Sequence, residues 1–181
     1  GATGHIGKIT ATVSGSATDI LANLGNLSTG GVDDSISFTV TGATLDTAAT
    51  SLQSIDALTD QTVVVSDITD NITKVGTAHS TGTIDITGAN ITLTGTISRG
   101  NYTTADTYNT AEGTTVSFSH MQDSYSNLLL MGSALANKEI TLDAAISLSE
   151  LANLKLLNPS TINYDISDTT SAIKAASNTD L

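Results

Sequence analysis

The chain has 181 residues, enough for one substantial core or for a run of stacked repeats sharing one. Hydrophobic residues make up 39%, too many for a wholly disordered chain, while aromatics are only 3%, so burial must rest on Val, Ile, Leu and Ala. A net charge of −12, from 18 acidic and 6 basic residues, argues against nucleic acid and anionic membrane surfaces as partners, because both are bound through clustered Lys and Arg.

Read in chain order, the sequence alternates short strand patterns with helical ones. The run "ITATV" from Ile9 is followed by Ile20, Leu21, Leu24 and Leu27, which fall on one helix face. Further strands are expected to start near Ile36, Val63, Ile84, Val116, Ile140 and Ile162, so that the starts recur at roughly 21 to 32 residues. Most intervening segments open on Ser, Thr or Asp, as a helix N-cap requires, and carry apolar residues three or four apart. A five-residue strand and a ten-residue helix are both about 15 to 17 Å long, so each helix returns the chain along its strand. The next strand then lies parallel to the last. The expected fold is an α/β solenoid of about seven strand–turn–helix repeats with one parallel sheet, forming a single domain over residues 1–181. An all-β parallel helix is the alternative, favoured by the Thr-rich runs and disfavoured by the spacing in "LANLGNL" and "LANLKLL".

Self-similarity also appears over a longer period. Thr44 to Asp70 and Thr141 to Asp168 share T-L-D, then S-L with apolar residues at three-residue intervals (Leu52, Ile55, Leu58 against Leu148, Leu151, Leu154), then a strand, then D-I-[ST]-D. A third, partial copy relates Asp19 to Leu27 with Ser149 to Leu157. The segment 88–113 breaks this rhythm: a second strand-like run, Ile91 to Ser98, leads into a polar stretch expected to form an irregular insertion. Insertions of this kind often carry function, which makes Arg99, Tyr102, Asp106 and Tyr108 candidate binding residues for a glycan or protein.

The pairs Asp67/Asp70 and Asp165/Asp168 are candidate calcium ligands, since calcium takes several oxygens, commonly from carboxylates. Two carboxylates three residues apart supply only part of such a shell. The competing reading places the first Asp on turn amides and the second at a helix cap. No other cofactor is suggested. The histidines His5, His79 and His120 lie outside any nucleophile or zinc motif, and no enzyme activity is expected. The T-x-T runs at Thr10/Thr12, Thr39/Thr41 and Thr92/Thr94/Thr96 read as solvent-facing strand positions rather than an ice-binding surface, because their spacing is irregular.

The recurring pattern T-[VI]-x-[VT], then Ser or Asp, then A-x-x-L-x-x-[IL]-x-x-L, then a new strand, resembles the degenerate repeats of large secreted bacterial surface proteins, including S-layer proteins and type I-secreted adhesins. The resemblance implies an extracellular structural role at the bacterial cell surface, often with calcium, in a lattice or stalk whose partners are neighbouring repeats or further copies. The calcium-binding nonapeptides of the wider group are missing from this sequence. Absence of Cys is compatible with either compartment, and acidity and the Thr, Ser and Gly content favour an extracellular one. No apolar run reaches the roughly 18 to 20 residues of a membrane span, and a start without Met or signal features suggests a piece of a longer chain.

Overall fold

A computed structural model of the protein describes residues 10–24, 35–43, 49–80 and 84–176. Among the described residues the fold is α/β, with two parallel sheets and seven α-helices. The first sheet has the order β1 (Thr10–Gly15), β2 (Ser35–Val40), β3 (Val63–Val65), β5 (Ile84–Asp85). The second has the order β4 (Asp67–Asp70), β6 (Asn90–Ile97), β7 (Thr115–Asp123), β8 (Glu139–Leu142), β9 (Thr161–Asn163). Helices α1 (Ala17–Leu24), α2 (Thr50–Asp56), α3 (Ile72–Ser80), α4 (Arg99–Glu112), α5 (Tyr125–Met131), α6 (Leu148–Lys155) and α7 (Thr170–Ala175) are interleaved with the strands, with no helix between β3 and β4 or between β5 and β6 among the described residues.

Strands begin where the apolar alternation placed them at Ile36, Val63, Ile84, Val116, Ile140 and Ile162. The expected start at Ile9 and the last residues of the first apolar stripe, 25–27, lie outside the described residues. A single sheet was expected, and two are found. The reason is a corner at Ser66: β3 ends at Val65 and the chain immediately resumes as β4, so Asp67–Asp70 is itself a strand rather than a strand exit. Backbone bonds carry this corner from one segment to the next, with Thr41 N donating to Gly15 O, Ser66 N to Val40 O, Asn90 N to Ser66 O and Thr115 N to Ala89 O.

The chain divides into two compact units, 1–93 with 105–117, and 94–104 with 118–181. In the first, Phe38 of β2, Leu52 and Ile55 of α2, Ile68 of β4 and Ile91 of β6 are fully buried. In the second, Met121, Leu128, Ile140, Leu151 and Leu154 form the core between β7, β8 and the faces of α5 and α6. Each such side chain contributes about 1.5 to 3 kcal/mol by leaving water, so aliphatic layers suffice without aromatic bulk.

Residues 88–113, expected as an irregular insertion, instead form β6 and the 14-residue helix α4. The sequence of α4 is rich in Thr and Asn, which are poor helix formers, and its ends explain why it forms. Ser98 Oγ accepts the Asn101 amide at 3.2 Å while Asn101 Oδ1 accepts the Ser98 amide at 3.2 Å, a reciprocal cap built with Asn in place of Glu. At the other end Gly113, with φ +64°, donates its amide to Asn109 O and closes the helix in the left-handed conformation.

One glycine inside a strand has a backbone that L side chains rarely adopt: Gly95 of β6, with φ +75°. A Cβ at Gly95 meets no neighbouring atom, so Gly95→Ala tests backbone strain alone. It should lower stability by about 1 to 2 kcal/mol, read as a shift of the urea midpoint with unchanged m-value. Leu151→Ala, which empties a fully buried site, should cost about 2 to 5 kcal/mol in the same assay.

Candidate functional site

The two D-I-[ST]-D motifs perform the same backbone task. In the first compact unit, Ala43 N donates to Asp67 O and Thr69 N donates to Ala43 O, both at 2.9 Å. In the second, Ile146 N donates to Asp165 O at 2.8 Å and Ser167 N donates to Ile146 O at 2.9 Å. Each motif is thus one parallel bridge onto the preceding segment, with Ile68 or Ile166 as the bridged residue. Ile68 is fully buried, whereas Ile166 is half-buried.

The side chains of each pair do not converge. Along β4 they alternate, so Asp67 and Thr69 point to one side while Ile68 and Asp70 point to the other. Asp67 Oδ2 accepts the Ser66 hydroxyl at 2.7 Å, and Oδ1 accepts Asn90 Nδ2 at 3.0 Å from the next strand of the sheet. Asp70 is buried, accepts the Asn71 amide at 2.8 Å and pairs with Lys74 at 3.1 Å. Asp165 is exposed, whereas Asp168 Oδ1 accepts the Thr169 amide at 2.7 Å. Among the described residues no group of three or more His, Asp or Glu is placed to hold a metal ion.

The helix caps fall one residue beyond the expected ones. Asn71 Oδ1 accepts the Lys74 amide at the start of α3, and Thr169 Oγ1 accepts the Ala172 amide at the start of α7. The Asp ahead of the cap is released to reach backward. Asp168 Oδ2 accepts the amide of Leu148, the first residue of α6, at 3.1 Å. Asp123, which precedes the cap Ser124 of α5, likewise accepts the amide of Arg99, the first residue of α4, at 2.9 Å. One carboxylate thereby serves the starts of two successive helices, its own through Ser124 or Thr169 and the previous one directly. Asp123 was not singled out in the sequence. Its only signal is its place before S-x-x-N, which mirrors Asp168 before T-x-x-A.

The candidate binding residues of 88–113 lie on α4 rather than on a loop. Arg99 and Tyr102 fall in the second compact unit, where Tyr102 packs edge-on against Phe118 with centroids 5.4 Å apart. Asp106 and Tyr108 fall in the first, where the Tyr108 ring packs against His79 with centroids 4.5 Å apart and planes tilted by 43°, and Asp106 accepts from Asn109. Both tyrosine rings are therefore used for packing.

Polar rungs on the sheet are the feature sequence reasoning missed. In the second unit Thr96, His120, Thr141, Asn163 and Glu139 are joined by hydrogen bonds of 2.9 to 3.3 Å across β6, β7, β8 and β9. The T-x-T runs were the available signal, but without the register nothing showed which hydroxyls meet.

Comparison of the chain with protein-family models, curated proteins and solved structures gave no match in any of the three.

Three carboxyls have a defined response to acid. The Ser66 hydroxyl and then the Asn90 amide hold Asp67 below the usual carboxylate range, and Thr87 does the same for Asp85. At Asp123 desolvation is the largest influence and raises the pKa, but the bonds from Asn127, Arg99 and Ser124 together outweigh it and leave the carboxyl lowered. A carboxyl with a lower pKa in the folded than in the unfolded chain stabilises the fold above the unfolded value, and loses that contribution as pH falls through the folded value. Urea stability should accordingly hold from pH 7 to about 5 and decline below about pH 4. Asp123→Ala should cost about 1 kcal/mol at pH 7, within the range for lost caps, and should reduce the acid-dependent decline.

Proposed function

We propose that this chain is a structural segment of an extracellular, S-layer-like protein of the bacterial cell surface, its strand–helix repeats stacked as an α/β solenoid whose end rungs pair with neighbouring repeats or further copies. The observation that carries the reading is the inter-segment bonding: side chains bond to groups 20 to 25 residues away, across adjacent strands in Asp67–Asn90 and Thr92–Ser117 and onto the backbone amide that opens the previous helix in Asp168–Leu148. Such contacts give a body whose stability comes from nearest-neighbour repeats. Its acidity keeps it soluble and suits a surface location. The reading assigns no catalytic step and no cofactor to the chain, with calcium left to the exposed Asp165 as its remaining candidate ligand.

Exposed features at the last rungs support end-to-end association. Among the described residues β9 has one neighbour, β8, and Leu156 and Ile173 in the flanking segments are 82% and 42% exposed. An adhesin acting through 88–113 is the other reading, and it loses two ring platforms because Tyr102 and Tyr108 are packed.

Electron microscopy and light scattering of the purified protein over a range of concentrations test the proposal. Filaments or sheets that persist in chelator are expected, whereas monomers at every concentration would overturn it. Ser160 N donates to Lys138 O, so by strand alternation the Thr161 amide faces the open edge. Thr161→Pro should abolish assembly while leaving the circular dichroism spectrum of the monomer intact.

A further inference from the structure

The structure assigns His120 a role as the proton-sensitive link of a directional hydrogen-bond chain, Asn163 to Thr141 to His120 to Thr96, in which reversal of the Thr141–His120 bond in acid loosens the edge strand β9. The direction follows from chemistry at one end. Glu139 is a carboxylate and only accepts, so the group facing its Oε1 at 2.9 Å is the Asn163 amide nitrogen. The same nitrogen lies 3.3 Å from Thr141 Oγ1, which therefore accepts from it. Thr141 then directs its own proton to His120 Nε2 at 2.9 Å, in a part-buried bond. With Nε2 as acceptor, the ring carries its proton on Nδ1 and donates to Thr96 Oγ1 at 3.1 Å, at an exposed position where Thr96 can give its own proton to water. The opposite tautomer sets two donors against Thr141 and turns the hydroxyl of this half-buried residue away from its neighbours.

A second proton on the ring enforces that unfavourable arrangement. Nε2 becomes a donor, and Thr141 loses the acceptor for its hydroxyl. The imidazolium also gains a carboxylate neighbour, because His120 and Glu139 are register partners across β7 and β8. No charged residue lies within Asn90–Ile97 of β6 or Thr161–Asn163 of β9. The Lys138 ammonium is placed over the Phe118 ring. Glu139 is thus the carboxylate drawn toward the cation, and Asn163 loses it. Strand β9, which has one neighbour among the described residues, loses the Asn163–Glu139 bond that helps hold it to β8.

The experiment is nitrogen NMR of the imidazole together with amide hydrogen exchange on the full chain at pH 7.5 and pH 5. At pH 7.5 the Nδ1–H tautomer is expected. On acidification the β9 amides should lose protection by about fivefold after correction for intrinsic rates, the factor corresponding to one net hydrogen bond. That loss should vanish in His120→Gln. An Nε2–H tautomer in the native protein, or β9 protection that does not change with pH, would overturn the assignment, as would an equal loss in the variant. The tautomer is read on the unmodified chain, so the test does not depend on the variant folding.

Discussion

Parallel pairing of consecutive strands is the constraint on which the rest of this structure depends. A parallel neighbour can be reached only by carrying the chain back along the strand it has just left, and here short helices do so repeatedly. Helices α1, α3, α4 and α5 then begin just after a strand ends. Several amides without intrahelical partners are exposed at each start, and carboxylates are the group best suited to them. The abundance of Asp follows from this arrangement: Asp123 and Asp168 each serve amides belonging to two successive helices.

The same constraint explains the small polar residues. Strands in parallel register bring outward side chains of neighbouring strands together in rows. Long side chains would crowd such rows, whereas Thr, Ser, Asn and a single His close hydrogen bonds across them. Thr92 with Ser117, and His120 between Thr96 and Thr141, are instances within β6, β7 and β8. Inward positions obey the complementary rule and are filled with Val, Ile and Leu, so the core forms with very few aromatic rings.

Much of this was legible in the sequence because it depends on local periodicity. Alternation located six strands, and the three-residue spacing of Leu148, Leu151 and Leu154 located α6, where Leu151 and Leu154 are fully buried. The second sheet was not legible, because the corner at Ser66 carries no Gly or Pro and the four residues after it read as a turn. Helix α4 was also hidden, since its weak interior is rescued by the Ser98–Asn101 cap and by Asp123, which lies 24 residues further on. For the candidate site, D-I-[ST]-D was read as an Asp on turn amides followed by an Asp at a helix cap, whereas the first copy is a strand and the caps fall one residue later, at Asn71 and Thr169. Sequence alone could not show that Asp168 turns to the previous helix, because that contact exists only once the register between segments is set.

The backward reach of Asp123 and Asp168 gives the chain a polarity in time. The first amide of α4 is met by a side chain 24 residues later, and that of α6 by one 20 residues later. A chain appearing N-terminus first holds each of these helices by its local cap alone, with the first amide unmet, until the following strand has emerged. Folding of such a segment is completed from behind, and the most recently exposed helix is always the least secured. Loss of a following segment consequently loosens the one before it, whereas loss of a preceding segment leaves these two caps in place.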